Sequence, residues 1–180
     1  MGKQLPQLTS RLSDFISRQK MFFVATAMDG GHINLSPKGM DAFRVLDEKT
    51  VLWLNLTGSG NETAAHLRHN GRMTVMFCAF EGAPLILRLY GQSSAYHQRD
   101  AYWDEHIGLF PAIPGSRQLI ELKIDLVQTS CGMGVPLMEY QGERGQLEAW
   151  AAELGEDGLK AYRQQKNMRS IDGYETGIFQ

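Results

Sequence analysis

The sequence is poor in cysteine and contains no long apolar run. Its two cysteines, Cys78 and Cys131, lie far apart without CxxC spacing, which favours two free thiols in a reducing compartment over a disulfide or a cysteine-rich metal site. No apolar stretch approaches the roughly 20 residues that a membrane-spanning helix needs. Residues 1–20 also lack the apolar core of a secretory signal. These absences predict a cytoplasmic protein.

The sequence also has no excess of either charge. Lysine and arginine total 18, and aspartate and glutamate total 20, which gives a net charge of -2 at pH 7. A nucleic-acid binder or a membrane-surface binder needs a surplus of positive charge, so neither is expected, and an anionic ligand would have to bind in a local pocket. With 180 residues, 43% of them apolar, the chain can bury a sizeable core. No linker or repeat divides it, so we expect a single domain over residues 1–180.

Several catalytic and metal-binding motifs are missing. The sequence has no GxxxxGK[ST] phosphate loop, no HExxH zinc motif and no GxSxG nucleophile motif. Gly58 and Gly60 lie among expected hairpins rather than in a β-α-β unit, so they do not form a dinucleotide fingerprint. The five histidines have no metal-ligand spacing, and His66 and His69 are expected to be surface or capping residues. The sequence therefore predicts no metal site and identifies no catalytic residue.

Short apolar segments bounded by glycine, proline and polar turns dominate the chain. Residues 21–28 and 32–36 flank a glycine turn, which is typical of a β-hairpin. Further strands are predicted at 42–46, 50–56, 73–80, 85–90 and 118–129. Helical patterns are found at 7–20, 62–69, 98–108 and 145–167, the last with a break near 155–158. The pattern favours a mainly β barrel or sandwich with flanking helices.

A glycine-rich turn before a short helix is the first candidate binding site. Its members are Thr57, Gly58, Ser59, Asn61 and Thr63. Glycine lets the backbone approach a ligand closely, and the first N–H groups of the helix are unpaired, so a phosphate would fit here. The same residues are also typical of a helix cap that needs no ligand. Glu62 would repel an anion unless its carboxylate points away.

The bend Ser36-Pro37-Lys38-Gly39 is the second candidate. Pro37 ends regular pairing and Gly39 lets the chain turn, so Lys38 can project into a cleft. There its ammonium would attract a phosphate or stabilise negative charge on an electron-accepting ring. A solvated loop lysine is the alternative. Arg44 lies in an apolar strand segment, where its charge needs a ligand or a partner unless the alternation of the strand points it outward.

Taken in order, three segments carry a resemblance to a known family. NLSPKG, FRVLDEKTVLWLNLTGSGNETAAHLRHNGRMTVMF and ILRLYG resemble the pyridoxamine 5'-phosphate oxidase-like family of flavin-binding split barrels over about residues 10–130. The tail, with SCGMGVP and KNMRSIDG, is similar to an uncharacterised subgroup whose members are mostly described only as FMN-binding or oxidase-related.

The resemblance implies a six-stranded antiparallel split barrel of Greek-key type over about residues 20–130, with flanking helices and a helical tail at about 145–168. It also implies a homodimer that holds FMN at the subunit junction and acts on a small molecule. The implied cofactor contacts are Ser36, Pro37, Lys38 and Gly39 along the isoalloxazine ring, Arg44, and Thr57, Gly58, Ser59, Asn61 and Thr63 at the phosphate.

The implied activity is that of an FMN-dependent oxidoreductase that transfers electrons between a reduced nicotinamide or another donor and an unknown small molecule. Where the oxidases proper carry Ser-Arg-Lys, this chain reads Asn61-Glu62-Thr63, so two cations are missing from the implied phosphate site. Pyridoxamine phosphate oxidase activity itself is therefore not expected. The alternatives are a non-catalytic flavin or haem carrier or sensor, a deazaflavin F420-dependent reductase of the same fold, and a scaffold dimer without cofactor.

Overall fold

Eight strands and four α-helices build the part of the chain that the computed structural model describes, residues 2–180. The strands are β1 Lys3–Leu5, β2 Phe22–Thr26, β3 Asn34–Lys38, β4 Phe43–Val45, β5 Thr50–Leu56, β6 Arg72–Cys78, β7 Ile86–His97 and β8 Ser116–Ser130. The helices are α1 Ser10–Arg18, α2 Glu62–Leu67, α3 Ala101–His106 and α4 Gln146–Lys166, with a turn of 3-10 helix at Ile107–Leu109. α4 is interrupted at Gly155, whose φ is 64°, so the predicted break is confirmed.

The strands form one antiparallel sheet in the order β3-β2-β6-β7-β8-β5-β4, with β1 beside β8. β6, β7 and β8 are consecutive neighbours, and β5 lies beside β8 rather than beside β6, which is a Greek-key arrangement. The mainly β split-barrel fold with flanking helices is therefore confirmed. The number of six strands that the resemblance implies is wrong, whereas the seven strand segments predicted from the pattern correspond to β2–β8. The added strand β1 has only three residues and no alternating apolar pattern, so periodicity cannot reveal its pairing with β8.

The apolar core fills the inside of the curved sheet. Alternate residues of β2, β5, β6, β7 and β8 point into it, as the two-residue period of a strand requires. α1 adds Leu12, Phe15 and Ile16 to this core, and Thr9 caps its first turn by accepting a hydrogen bond from the Leu12 N–H. A second cluster on the other face of β5 contains Leu52, Leu54, Trp103, Phe110 and Leu119. Both faces of β5 are thus buried, which fixes the position of the turn that follows it.

Three elements meet where β5 ends. The chain turns through residues 57–61 into α2, which packs on β2 and β7. Thr57 is tied to Gly115, just before β8, because both its N–H and its hydroxyl donate to the Gly115 carbonyl at 2.8 Å. α4 approaches the same place from the carboxyl-terminal part of the chain. Within residues 2–180, no helix is both long enough and apolar enough to cross a bilayer.

Candidate functional site

The turn at residues 57–61 is held from one side through its carbonyl groups. The Asn167 side-chain amide donates to the Gly58 carbonyl at 3.0 Å, and the Arg117 guanidinium donates to the Gly60 carbonyl at 3.1 Å. Asn61 is buried, and its amide contacts the Asn167 carbonyl at 3.5 Å. Both partners of the turn lie far along the chain, on β8 and after α4.

This arrangement directs two N–H groups away from the partners of the turn. In a trans peptide unit the C=O and the following N–H point in opposite directions, and the described chain has no cis peptide bond. Because the Gly58 and Gly60 carbonyls face Asn167 and Arg117, the N–H groups of Ser59 and Asn61 face the other way. Neither N–H donates a hydrogen bond within residues 2–180. Backbone N–H groups that lack an acceptor at a glycine turn can bind an oxyanion.

Two arginines lie behind the turn. Arg117 is buried and also donates to the Asn167 side-chain oxygen at 2.7 Å. Arg163 donates to the Thr57 hydroxyl at 2.8 Å and to the Ser116 carbonyl at 3.0 Å. Burial, together with the positive charge of Arg163, lowers the pKa of Arg117 to about 9. In the described part of the chain, neither arginine forms an ion pair with a carboxylate. The turn therefore has two guanidinium groups close behind it.

The Glu62 carboxylate, the negative charge nearest the turn in sequence, lies between the turn and residue 171, and its Oε1 would be 2.8 Å from a Cβ added to Gly60. Its Oε2 accepts a hydrogen bond from the Ile171 N–H at 2.8 Å. Its charge raises the pKa of Arg117, although burial outweighs this effect. The sequence left open whether the Glu62 carboxylate points away from the turn, and the structure places one of its oxygens beside Gly60 while the other accepts from the Ile171 N–H.

Residues 36–38 of the Ser36–Gly39 bend belong to strand β3 and pair with β2. The expectation that Pro37 ends regular pairing is therefore wrong, because an edge strand tolerates a proline whose missing N–H would face away from the sheet. Pairing with β2 places Asn34, Ser36 and Lys38 on the same face as buried residues of β2, whereas Pro37 is on the opposite, exposed face. The Ser36 hydroxyl donates to the Asn34 side-chain oxygen at 2.9 Å, and the Asn34 amide donates to the Thr63 hydroxyl at 3.1 Å. The structure therefore connects two predicted site residues, Ser36 and Thr63, through Asn34.

His66 lies next to this network. It is buried, and its Nδ1 is 2.9 Å from the Thr26 hydroxyl, which also accepts from the Asn34 amide. The expectation that His66 is a surface or capping residue is wrong, because α2 packs over β2 and turns this side chain inward. His69, by contrast, is exposed.

Lys38 is directed inward at the end of β3. Its Nζ lies 5.3 Å from the centre of the Trp53 ring. Burial lowers the pKa of Lys38 to about 8, and the charge of Arg117 contributes to the decrease. The Lys38 side chain therefore projects inward, as one of the two sequence interpretations predicted, and is not a solvated loop lysine. Its ammonium forms no ion pair within residues 2–180, so it is available to an anionic group.

Gly39 and Arg44 line a separate cavity of about 410 Å³ between α1 and the β3–β4 connection. The Arg44 guanidinium donates to both oxygens of the Asp41 carboxylate, at 2.8 and 3.0 Å, and to the Leu109 carbonyl at 2.8 Å. Asp41 has a positive φ of 51°, which is uncommon for a residue other than glycine. Arg44 thus stabilises a strained turn, and its predicted contact with a cofactor stays a prediction.

Sequence reasoning missed Arg117, Arg163 and Asn167. Each lies more than 50 positions from the turn in sequence, and none belongs to a recognisable motif. Arg117 carries one weak signal, since it is a charged residue at the second position of the long apolar strand β8. The contacts of Arg163 and Asn167 depend on how α4 packs, which has no local signature.

Comparison with known proteins gives the family and the fold. The model of a family described as pyridoxamine 5'-phosphate oxidase matches residues 8–131. A pyridoxamine 5'-phosphate oxidase family protein of Aspergillus flavus, ustO, is 38% identical over 187 residues, which cover 92% of this chain and 74% of that protein.

Solved structures share the fold at low identity. HupZ of Group A Streptococcus superposes with a TM-score of 0.53 at 21% identity, over 66% of this chain and 91% of that one. The FAD binding protein of Mycobacterium smegmatis superposes with a TM-score of 0.50 at 13% identity, over 70% of this chain and 97% of that one.

Proposed function

Because the chain belongs to the pyridoxamine 5'-phosphate oxidase family, we propose that it is an FMN-binding oxidoreductase that transfers electrons between a reduced nicotinamide or another donor and a small molecule. One observation carries the proposal: the N–H groups of Ser59 and Asn61 are directed away from the arginines that hold the turn and have no acceptor within residues 2–180. These donors fit a phosphate, and Arg117 and Arg163 compensate for the cations that the sequence motif lacks.

The other proposed FMN contacts follow from the connection between the turn at residues 57–61 and the bend at residues 36–39. The FMN phosphate binds at the turn, and the isoalloxazine ring lies along the bend from Ser36 to Gly39. FMN supplies the redox chemistry, while the protein binds it, orients it and shapes its electrostatic surroundings. Lys38 contributes an ammonium held in a mostly apolar setting beside Trp53, where a positive charge stabilises negative charge on a neighbouring ring more strongly than in water.

The proposal includes a homodimer with the cofactor at the junction of the two subunits. Ile33 and Leu35 support it, since they are 76% and 65% exposed on and beside the edge strand β3, next to the bend. Apolar side chains in such a position favour burial by a second copy. We expect sedimentation analysis to give a dimer for the native chain and a shift to monomer for Leu35→Arg. Leu137→Arg is the control, because the Leu137 side chain is similarly exposed but lies in a loop outside β3, and it should leave the dimer intact.

The turn is tested by a matched pair of substitutions at Ser59. This side chain is exposed and makes no hydrogen bond, so its replacement leaves the packing of the turn intact. Ser59→Ala keeps the backbone N–H and should change the FMN dissociation constant by less than about twofold. Ser59→Asp places a carboxylate beside the phosphate and should weaken FMN binding by about tenfold or more. Flavin fluorescence quenching measures both. Equal affinities for the two variants, or no uptake of FMN by the native chain, would contradict the proposal.

Electron transfer is tested separately from binding. The FMN-loaded protein is mixed anaerobically with NADPH, and the flavin absorbance is followed. Loss of the absorbance supports the oxidoreductase, whereas a bound flavin that no donor reduces indicates a non-catalytic carrier or sensor. Mass spectrometry of the small molecule released on denaturation identifies the native cofactor, and detection of deazaflavin F420 or haem in place of FMN would overturn the choice of cofactor.

A further inference from the structure

A second cavity lies on the carbonyl side of the turn, opposite the Ser59 and Asn61 N–H groups. We call it the inner basic pocket. Its volume is about 270 Å³, and the residues that matter here are His97, Arg99, Arg117, Arg163, Ile178 and Phe179. The pocket thus brings together the end of β7, the start of β8, the second half of α4 and the carboxyl-terminal segment.

The inner basic pocket contains three guanidinium groups and is lined by no carboxylate. Within the described residues, none of Arg99, Arg117 and Arg163 takes part in an ion pair. Arg117 is only 4% exposed, and the charge of Glu62 acts on it without forming an ion pair, so its burial is costly unless other groups compensate for it. The concentration of positive charge therefore needs an explanation.

Neutral acceptors satisfy only part of the hydrogen-bonding capacity of the arginines. Arg99 donates to the Gly177 and Ile178 carbonyls, both at 2.9 Å, which ties the carboxyl-terminal segment to the pocket wall. Arg117 and Arg163 donate to carbonyl, amide and hydroxyl oxygens around the turn, as described above. The Nε of Arg117 is buried and has no acceptor in the described structure. Carbonyl dipoles satisfy donors but leave the net charge of the pocket positive.

His97 adds a neutral donor to the wall. It is 9% exposed, and its Nδ1 lies 3.5 Å from the Gln118 side-chain nitrogen, which can only donate. Nδ1 is therefore the acceptor, and the ring proton is placed on Nε2. Burial lowers the pKa of His97 to about 4, and the charges of Arg99, Arg68 and Arg117 contribute, against an opposing effect of Asp100.

We propose that the inner basic pocket binds a phosphate group that is not the flavin's, as inorganic phosphate or as part of a small phosphomonoester. A tetrahedral dianion matches donors that come from several directions, and guanidinium groups are the side chains best suited to it. The Ile178 and Phe179 side chains give the pocket an apolar wall for the organic part of an ester. The two phosphate sites lie on opposite sides of one turn, and Arg117 is common to the surroundings of both.

Inorganic phosphate is the probe, added to the full-length chain in a buffer without oxyanions. Calorimetry should show one phosphate bound per chain, and saturation should raise the melting temperature. Arg163→Gln keeps a hydrogen-bonding side chain but removes one charge, and should weaken phosphate binding by about tenfold or more. Arg18→Gln removes the same charge from an exposed position on α1 and should leave phosphate binding unchanged.

A second readout follows the ring of His97 by NMR. Binding of a dianion should raise the pKa of His97 from its low value, because a nearby negative charge favours the imidazolium. A purely structural role of the arginines predicts no phosphate-dependent change. If phosphate neither raises the melting temperature nor shifts the His97 titration, the proposal is wrong.

Competition with FMN distinguishes this site from the cofactor site. Phosphate binding that persists in the presence of saturating FMN supports a separate site. Phosphate binding that saturating FMN abolishes would overturn it, since the pocket would then belong to the cofactor. Failure of the chain to bind FMN, with phosphate binding retained, would contradict the proposed flavin function but support the inner basic pocket.

Discussion

Replacement of Asn167 by alanine should both destabilise the protein and weaken cofactor binding. Asn167 is fully buried, and its side chain joins the turn to β8: its nitrogen donates to the Gly58 carbonyl, and its oxygen accepts from the Arg117 guanidinium. Its backbone carbonyl accepts from the Thr176 hydroxyl at 2.6 Å, which fixes the tail beside it. Asn167 therefore joins the turn to β8 through its side chain and contacts the tail through its backbone.

The magnitude follows from the two side-chain hydrogen bonds. Loss of the bond from the charged Arg117 costs about 1.5–3 kcal/mol, and loss of the bond to the partly buried Gly58 carbonyl costs about 0.5–1.5 kcal/mol. We therefore expect Asn167→Ala to lower the free energy of unfolding by about 2–4 kcal/mol, which corresponds to a fall in melting temperature of about 4–16 °C for a chain of this size. FMN affinity should fall as well, since the Gly58 and Gly60 carbonyls are no longer held and the N–H groups of Ser59 and Asn61 lose their orientation.

Urea unfolding followed by circular dichroism gives the free energy, and Gln164→Ala, at an exposed position of α4, is the matched control. A double-mutant cycle with Arg117→Met tests the cause. In that background no buried charge is left without its acceptor, so Asn167→Ala should cost about 2 kcal/mol less than in the native chain. Equal costs in the two backgrounds, or equal stability of Asn167→Ala and Gln164→Ala, would refute the reasoning.

The remaining predictions concern pH and backbone conformation. The pKa of Lys38 is about 8 in the folded chain against 10.5 unfolded, so the unfolded chain binds more protons and stability should rise between those pH values, less so in Lys38→Met; urea unfolding across this range measures it. Hydrogen bonds with His32 lower the pKa of Asp172 below 3.8, and the same pairing raises the pKa of His32 above 6.5. The stability that Asp172 contributes should be lost as the pH falls below 3.8, and the stability that His32 contributes should be lost as the pH rises above 6.5. Thermal melts from about pH 3 to 9 should show both losses in the native chain and neither in Asp172→Asn. Gly115 has a φ of 81°, and an added Cβ would meet a side chain of α4 at 3.1 Å, so Gly115→Ala should cost about 1 kcal/mol or more in urea unfolding, whereas Gly108→Ala, in open space, should not.

The parts of the fold that depend on local patterns were predictable from the sequence. The glycine turn at residues 29–31 and the apolar runs beside it predict a hairpin, and β2 and β3 pair with Val24 opposite Ser36. The helical pattern at residues 7–20 corresponds to α1, which Thr9 caps. These features depend on neighbours in sequence, where turn chemistry and periodicity act directly.

The parts of the site that depend on distant contacts were not predictable. The sequence indicated the turn and Lys38 as places for an anion, but the arginines that supply positive charge to the turn come from β8 and α4. His66 was placed on the wrong side of its helix, because six residues are too few for periodicity to define a buried face. The orientation of Glu62 likewise depends on the tail, since its hydrogen-bond partner is Ile171.

The contacts of Arg163 and Asn167 make the carboxyl-terminal tail and the turn a single cooperative unit. Both residues lie beyond residue 131, where the match to the family model ends, yet they fix the conformation of a turn inside the matched region. A ligand that stabilises the turn must therefore slow the local opening of the tail. Amide hydrogen exchange at residues 168–178 reports this coupling without any measurement at the site itself.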